Sequence, residues 1–418
     1  MGQILLFPGK VWQTVTNPIG WSWAHGLTIQ RKGSTFRAKG LDISSYAPTG
    51  KAYYVSTTGN DLATGLNWAN SLRSIDIALA KVDIDICYIE AGTYLRTKSW
   101  DSYDLARSVS IVGVGGGVIC TNAQDGLVWA LSAGQTNTYE TTRSSATKVL
   151  DVSNIDSNDD YQEPTLQTSI ATVEANAGSY WINGNLVYVH TFDNRVPDSN
   201  IWVTLTARNA KISGDVHIYC ENIDFVGGYA GLEFDNTGAN QTPEFYAKNC
   251  KFRHTAGNGL EITGQSKVIL QDCLAAKNSG DGFNYHVLNG VVPKVIEINC
   301  ISRNNGVTGD EDNGSTVHDG GSVIRLNGQY YLNRGPNVVD SAALESWNLG
   351  CIAHNSQTII PGAAHDFNAA GGSGVMWLDR CVSYGSTYGI TAGANTTIYK
   401  RKCSSTIGDG GAGIVTTY

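Results

Sequence analysis

Carboxylates and imidazoles recur at matched places along one stretch of this chain. Gly231-Leu-Glu-Phe-Asp235, Gly259-Leu-Glu-Ile-Thr263, Gly282-Phe-Asn-Tyr-His286 and Gly314-Ser-Thr-Val-His318 follow one template, a glycine and then alternating residues. If each segment is a strand, every second side chain leaves on the same face, and stacking the strands sets equivalent residues in columns. One column then carries Glu233, Glu261, Asn284, Thr316 and Val339. Its neighbour carries Asp235, Thr263, His286, His318 and Ser341. Residues 307–321 depart furthest from the repeat in the second half of the chain, and they hold Asp310, Glu311, Asp312 and Asp319.

Two chemistries use such sets. Glycoside hydrolysis needs two carboxyl groups, about 5–5.5 Å apart for retention or about 6.5–9.5 Å for inversion. Glu233 and Glu261, on neighbouring turns, suit the short distance; Glu261 with an acid of the 310–319 loop suits the long one. The charge of one member would raise the pKa of the other. Elimination from a uronate needs a base, for which His286 and His318 are candidates, and a cation beside the carboxylate, for which Arg325, Lys277 and Arg303 are candidates. Asp235, Asn284, Arg325 and Trp347 are candidate substrate contacts, the last as a stacking platform. Plainer readings stand beside these: solvated stacked acids, an acidic loop in water, or calcium held by Asp310-x-Asp312-x-Gly314 or by the acidic run 156–160. No cofactor is otherwise expected. An esterase lacks its Gly-x-Ser-x-Gly turn, and Gly115 to Gly117 reads as a corner because the phosphate-loop spacing is missing.

The elements that must carry these side chains are legible in the same stretch. Cys220, Cys250, Cys273, Cys300, Cys351, Cys381 and Cys403 each follow a short alternation such as Lys267-Val-Ile-Leu-Gln-Asp-Cys273. Sliding residues 268–286 along by 55 matches 323–341 without a gap, so Gly328 fills the one empty slot. The period is 22 to 30 residues. Short strands joined by Gly, Asn and Asp corners at such a period predict an all-β parallel solenoid. The cysteines become an interior stack, and Asn249, Asp272, Asn299 and Asn327 before them a side-chain ladder.

Before the repeat, residues 1–50 read as a cap over the first coil, which shields unpaired strand edges. Residues 51–120 hold the first coils, with a short amphipathic helix at 71–80. Periodicity lapses over 121–206, where Gly178-Ser-Tyr-Trp-Ile-Asn-Gly-Asn-Leu-Val-Tyr-Val-His190 predicts a hairpin about Asn183-Gly184 in an antiparallel insertion. The main coils occupy 207–418.

Tyr53-Tyr-Val-Ser56, Gly59-Asn-Asp61 and Ile86-Cys-Tyr-Ile-Glu-Ala-Gly-Thr-Tyr94 resemble the opening turn of right-handed parallel β-helix proteins acting on polysaccharides, the group of pectate-lyase-like enzymes and phage tailspike depolymerases. The Gly-x-Tyr-Trp and Leu-x-Tyr-Val-His insert strengthens the resemblance. It implies a depolymerase of bacterial surface polysaccharide, capsule or O-antigen, acting as an endo-glycosidase, with a lyase or a non-catalytic adhesin as alternatives. It also implies a homotrimer on a virion tail beside other phage tail proteins. The large N-terminal particle-binding domain and C-terminal trimerisation domain of the fuller tailspike pattern are not recognisable.

Composition limits the partners. Charged residues are 16% and the formal net charge is −8, without a basic stripe, which argues against nucleic acid. Nine cysteines, an odd number largely on one ladder, favour reduced thiols and folding in a reducing cytosol. The apolar run in Met1 to Lys10 is four residues long, so neither a secretory signal nor membrane insertion is expected.

Overall fold

A computed structural model describes residues 11–101, 103–235, 238–307, 312–357 and 364–418, and in it the repeat winds into a right-handed parallel β-helix. Each turn carries three strands, one per sheet. In one turn these are Lys267–Gln271, Leu274–Ala276 and Phe283–His286. They pair in parallel with Lys294–Ile298, Ile301–Arg303 and Ser315–His318 of the next turn. The three-residue strands of the second sheet were not foreseen, because three residues are too few to show alternation.

The corner from first to second sheet explains the Asn/Asp-Cys pattern. Asn222, Asn249, Asp272, Asn299 and Asn327 all lie at φ between 52° and 59°, a left-handed conformation that Asn and Asp tolerate. Their side chains link successive turns: Asn249 Nδ2 donates to Asn222 at 2.7 Å, Asn299 to Asp272 at 2.9 Å and Asn327 to Asn299 at 3.0 Å. The next residue turns inward, and at Cys250 burial pushes the thiol up to about 12, leaving it a packing group rather than a nucleophile. Gly328 stands in this slot because a Cβ there would lie 2.3 Å from the Tyr330 hydroxyl.

Two details of the repeat differ from expectation. Cys220 pairs with Ala247 inside a first-sheet strand, so the slot equivalent to Cys250 holds Ile223. Ile414–Thr417 joins the first sheet beside Thr397–Arg401, not the third.

The first sheet is apolar along its outward column as well as over most of its inner face. Its outward column runs Tyr219, Tyr246, Ile269, Ile296, Ile324, Trp347, Trp377 and Tyr399. Such a column needs a cover. The N-terminal segment supplies it along the side of the helix: strands Thr28–Lys32 and Thr35–Lys39 bring Ile29 and Phe36 onto it, followed by Ile43. Trp347 is therefore no sugar platform: it is 0% exposed, 5.8 Å from the Trp21 ring. The first coil is served instead by the helix Ile75–Leu79, which buries Ile75, Ala78 and Leu79 in the core beside Ala52–Val55 and Ile86–Tyr94.

Between Thr121 and Ala210 the chain leaves the helix and builds two small, mainly antiparallel sheets. One joins Ala146–Ile155 to Ile201–Leu205; the other contains the hairpin Ser179–Asn183 and Leu186–His190. The acidic run at 156–160 docks this insertion on the second sheet. Asp160, fully buried, pairs with Arg303; Asp159 pairs with Lys251 at 2.9 Å. Asp156 Oδ1 accepts the Asn158 and Asp160 amides. Residues 156–159 stay exposed, as a solvated loop would, and Asp160 fastens the end of the run.

Candidate active site

The outward face of the third sheet has the opposite character to the first. Its register sets Lys211, Glu233, Glu261, Asn284, Thr316 and Val339 in line, with Ser213, Asp235, Thr263 and His286 in the adjoining column and His318 opposite Ser341. The strand residues between them, such as Phe234, Ile262 and Tyr285, fill the core. Inward apolar positions therefore fix the direction of the polar ones.

Glu233 and Glu261 face each other across one rung, ~4.8 Å in a parallel sheet. Their surroundings differ. Glu233, 6% exposed, is paired with Arg208, which also lies over the Tyr229 ring. Glu261 is pushed above the ordinary glutamate range, by burial first and by Glu233 second, against the smaller pull of Arg208 and Asn258. Its Oε2 is buried without a hydrogen-bond partner, and so is Asn284 Oδ1 on the next rung; Thr316 beyond them is fully buried and bonds Asp281. Buried polar atoms are ordinarily satisfied. Two neighbouring exceptions set this stretch apart from Lys211 and Glu233 in the same column, which are paired.

His286 and His318 stack face to face, centroids 4.1 Å apart, with Asp319 3.3 Å from His286 Nδ1. Burial, then the His286 ring, push His318 down to about 4, so it is neutral at pH 7. The cation that elimination would require is missing from this pair. Arg325, expected as a substrate contact, points into the core and is 0% exposed. There it donates to Asp340 at 2.9 and 3.1 Å and to Ser315 at 3.0 Å, with Glu297 3.7 Å away. Its strand, Ser322–Leu326, alternates Val323 in, Ile324 out and Arg325 in. Arg303 is spent on Asp160, and Lys277 lies at the corner before the strand.

Asp310 and Glu311 lie outside the described residues, as does any calcium reading that depends on Asp310. Asp312 stands at the corner opening the third-sheet strand, close enough to raise the pKa of Asp281. Asp281 was missed because Gly280-Asp281-Gly282 reads as a turn. It is buried, accepts the Asn313 amide at 2.6 Å, and is pushed up to about 7 by burial first and Asp312 second. Arg208 was missed as well, since it precedes the first recognisable template. Asp235 is half-buried beside Lys211, 3.9 Å away.

No family model matches the chain, and no curated protein matches it by sequence. Solved structures resemble it in shape. XylC in complex with xylose superposes with a TM-score of 0.56 at 9% identity, over 85% of this chain and 69% of that one. A glycoside hydrolase gives 0.53 at 10% identity over 88% and 96%, and the pectate lyase Pel9A gives 0.52 at 12% over 90% and 81%. What this chain has in common with them is the right-handed parallel β-helix fold.

Proposed function

We propose that the protein cleaves a polysaccharide as an endo-acting glycoside hydrolase, at the outward face of the third sheet. The observation that carries this reading is the inequality of two acids on adjacent rungs. Glu233 is ion-paired with Arg208, whereas Glu261 is buried, raised in pKa and short of a partner. Two acids in unlike environments, one of them raised in pKa, is what glycosidic cleavage requires.

The chemistry follows from that division. Glu261 donates its proton to the glycosidic oxygen while Glu233 attacks the anomeric carbon, breaking the C–O bond and forming a glycosyl ester; the leaving sugar departs as an alcohol. Glu261, now a carboxylate, takes a proton from water, whose oxygen displaces Glu233. The spacing of one rung favours this two-step route with retained configuration. Asn284 binds a sugar hydroxyl on the rung beside Glu261, and Asp235, Asp312 and Asp319 border the column.

The substrate class extends the proposal: a bacterial capsule or O-antigen, met by a homotrimer on a phage tail, as the sequence resemblance implies. The direct test uses purified protein on a panel of such glycans, reading reducing ends and ultraviolet absorbance in the same tubes. Reducing ends rising alone support the hydrolase. Both signals rising would move the chemistry to elimination, with neutral His318 as the base; binding without either signal would leave an adhesin.

A further inference from the structure

A second feature sits at the corner before the third sheet, where the insertion meets the coils. Lys148, Lys277 and Arg334 line a cleft of about 570 Å³ whose walls include Pro164, Leu166 and Val307. The charge balance there is uneven. Glu163 is the one carboxylate among the described lining residues; Lys148 is 3.3 Å from it and also donates to the Lys277 carbonyl at 3.1 Å. Burial raises the Glu163 carboxyl, yet Lys148, His254 and Lys277 outweigh it and hold it at about 2. Among the described residues neither Lys277 nor Arg334 has a carboxylate within ion-pair distance. Gly306 lets the Arg334 stem lie against the backbone, since a Cβ there would come within 2.6 Å of the Arg334 Cβ. Three cations thus share one carboxylate at the cavity mouth, with Lys277 and Arg334 half-buried and outside ion-pair distance of it.

We propose that this cleft seats the anionic substituent, carboxylate, sulfate or phosphate, of an acidic glycan. Asn278 and Ser279 line it and Asp281 follows two residues on, so a chain lying across the third sheet reaches it at the corner. Cations in excess of carboxylates in a partly dry cleft favour an oxyanion through charge-assisted hydrogen bonds. The inference rests on the polysaccharide-active reading but not on Glu261.

Calorimetry on the full chain tests it with three size-matched probes: an oligogalacturonate, its neutral methyl ester and a sulfated oligosaccharide. At least one acidic probe binds tenfold or more tightly than the ester, and which one identifies the anion. Lys277→Met and Arg334→Gln, which keep the side-chain stems, each weaken that binding about tenfold and reduce its salt dependence, with unchanged melting temperatures. Equal affinity for ester and acid, an unaffected double variant, or no binding of either acidic probe at millimolar concentration overturns the proposal. Glu261→Gln separates the two claims: it binds the acidic probe as the unmodified protein does, whatever its effect on cleavage.

Discussion

The first and third sheets are built from the same turns yet present opposite faces to their surroundings. On the first, the outward column from Tyr219 to Tyr399 is apolar and lies under the N-terminal segment. Even its acid is satisfied: Glu345 accepts from Ser22 N, Ser22 Oγ and Trp23 N at 2.7 to 2.9 Å. On the third, the column from Lys211 to Val339 is largely polar, and Glu261 and Asn284 each keep a buried atom without a partner. A carboxylate on a β-helix strand is therefore not informative by its column alone. Whether the chain completes its hydrogen bonds separates a fastening residue from a candidate catalytic one.

Substitutions at matched acids break this comparison most sharply. Glu261→Gln is expected to lower cleavage by about a thousandfold or more, as loss of a general acid does, while the melting temperature holds. Glu345→Ala should do the reverse: cleavage within twofold, and about 2 kcal/mol or more lost in denaturant unfolding as the Ser22 and Trp23 groups lose their acceptor.

Arg325 sharpens the point from inside the helix. Removing it leaves Asp340 and Glu297 buried without their cation, at a cost of about 3–5 kcal/mol. Arg325→Ala is therefore expected to fail in folding, read by circular dichroism, rather than to fold and bind glycan weakly.

Arg208→Met keeps the fold but frees Glu233 from its fixed position; a fall of about 10- to 100-fold in kcat with a smaller change in KM is expected from steady-state kinetics.

The smallest effect is one of pH. Asp281 has a folded pKa near 7 against 3.8 unfolded, so the native state binds the extra proton between those values. Its contribution is complete below pH 4 and is lost as pH rises to 7. Asp281→Asn should abolish that loss, so the variant gains on the unmodified protein in melting temperature between pH 4 and 7.

Much of this architecture was legible in sequence because a solenoid repeats its evidence. The Asn/Asp-Cys corner recurs at turn after turn, and the glycine template fixed the register of Glu233, Glu261 and Asn284 before any coordinates. What stayed hidden depends on contacts distant in sequence. Trp347 looks like an exposed aromatic until Trp21, more than three hundred residues earlier, is folded over it. Arg325 looks like a surface cation because its strand is apolar on both faces and alternation cannot choose a side. The acids at 156–160 read as a loop because their partners Lys251 and Arg303 belong to separate coils. Asp281 gave no signal beyond a turn, since its pKa arises from burial and a neighbour 31 residues away.

The central claim is that Glu233 and Glu261, one rung apart, cut the glycan together. The configuration of the first sugar released, followed by proton NMR before mutarotation, tests it most directly. Retention at the new reducing end is predicted for carboxyls at this spacing; inversion would contradict the pairing and assign the second role to an acid farther along the face.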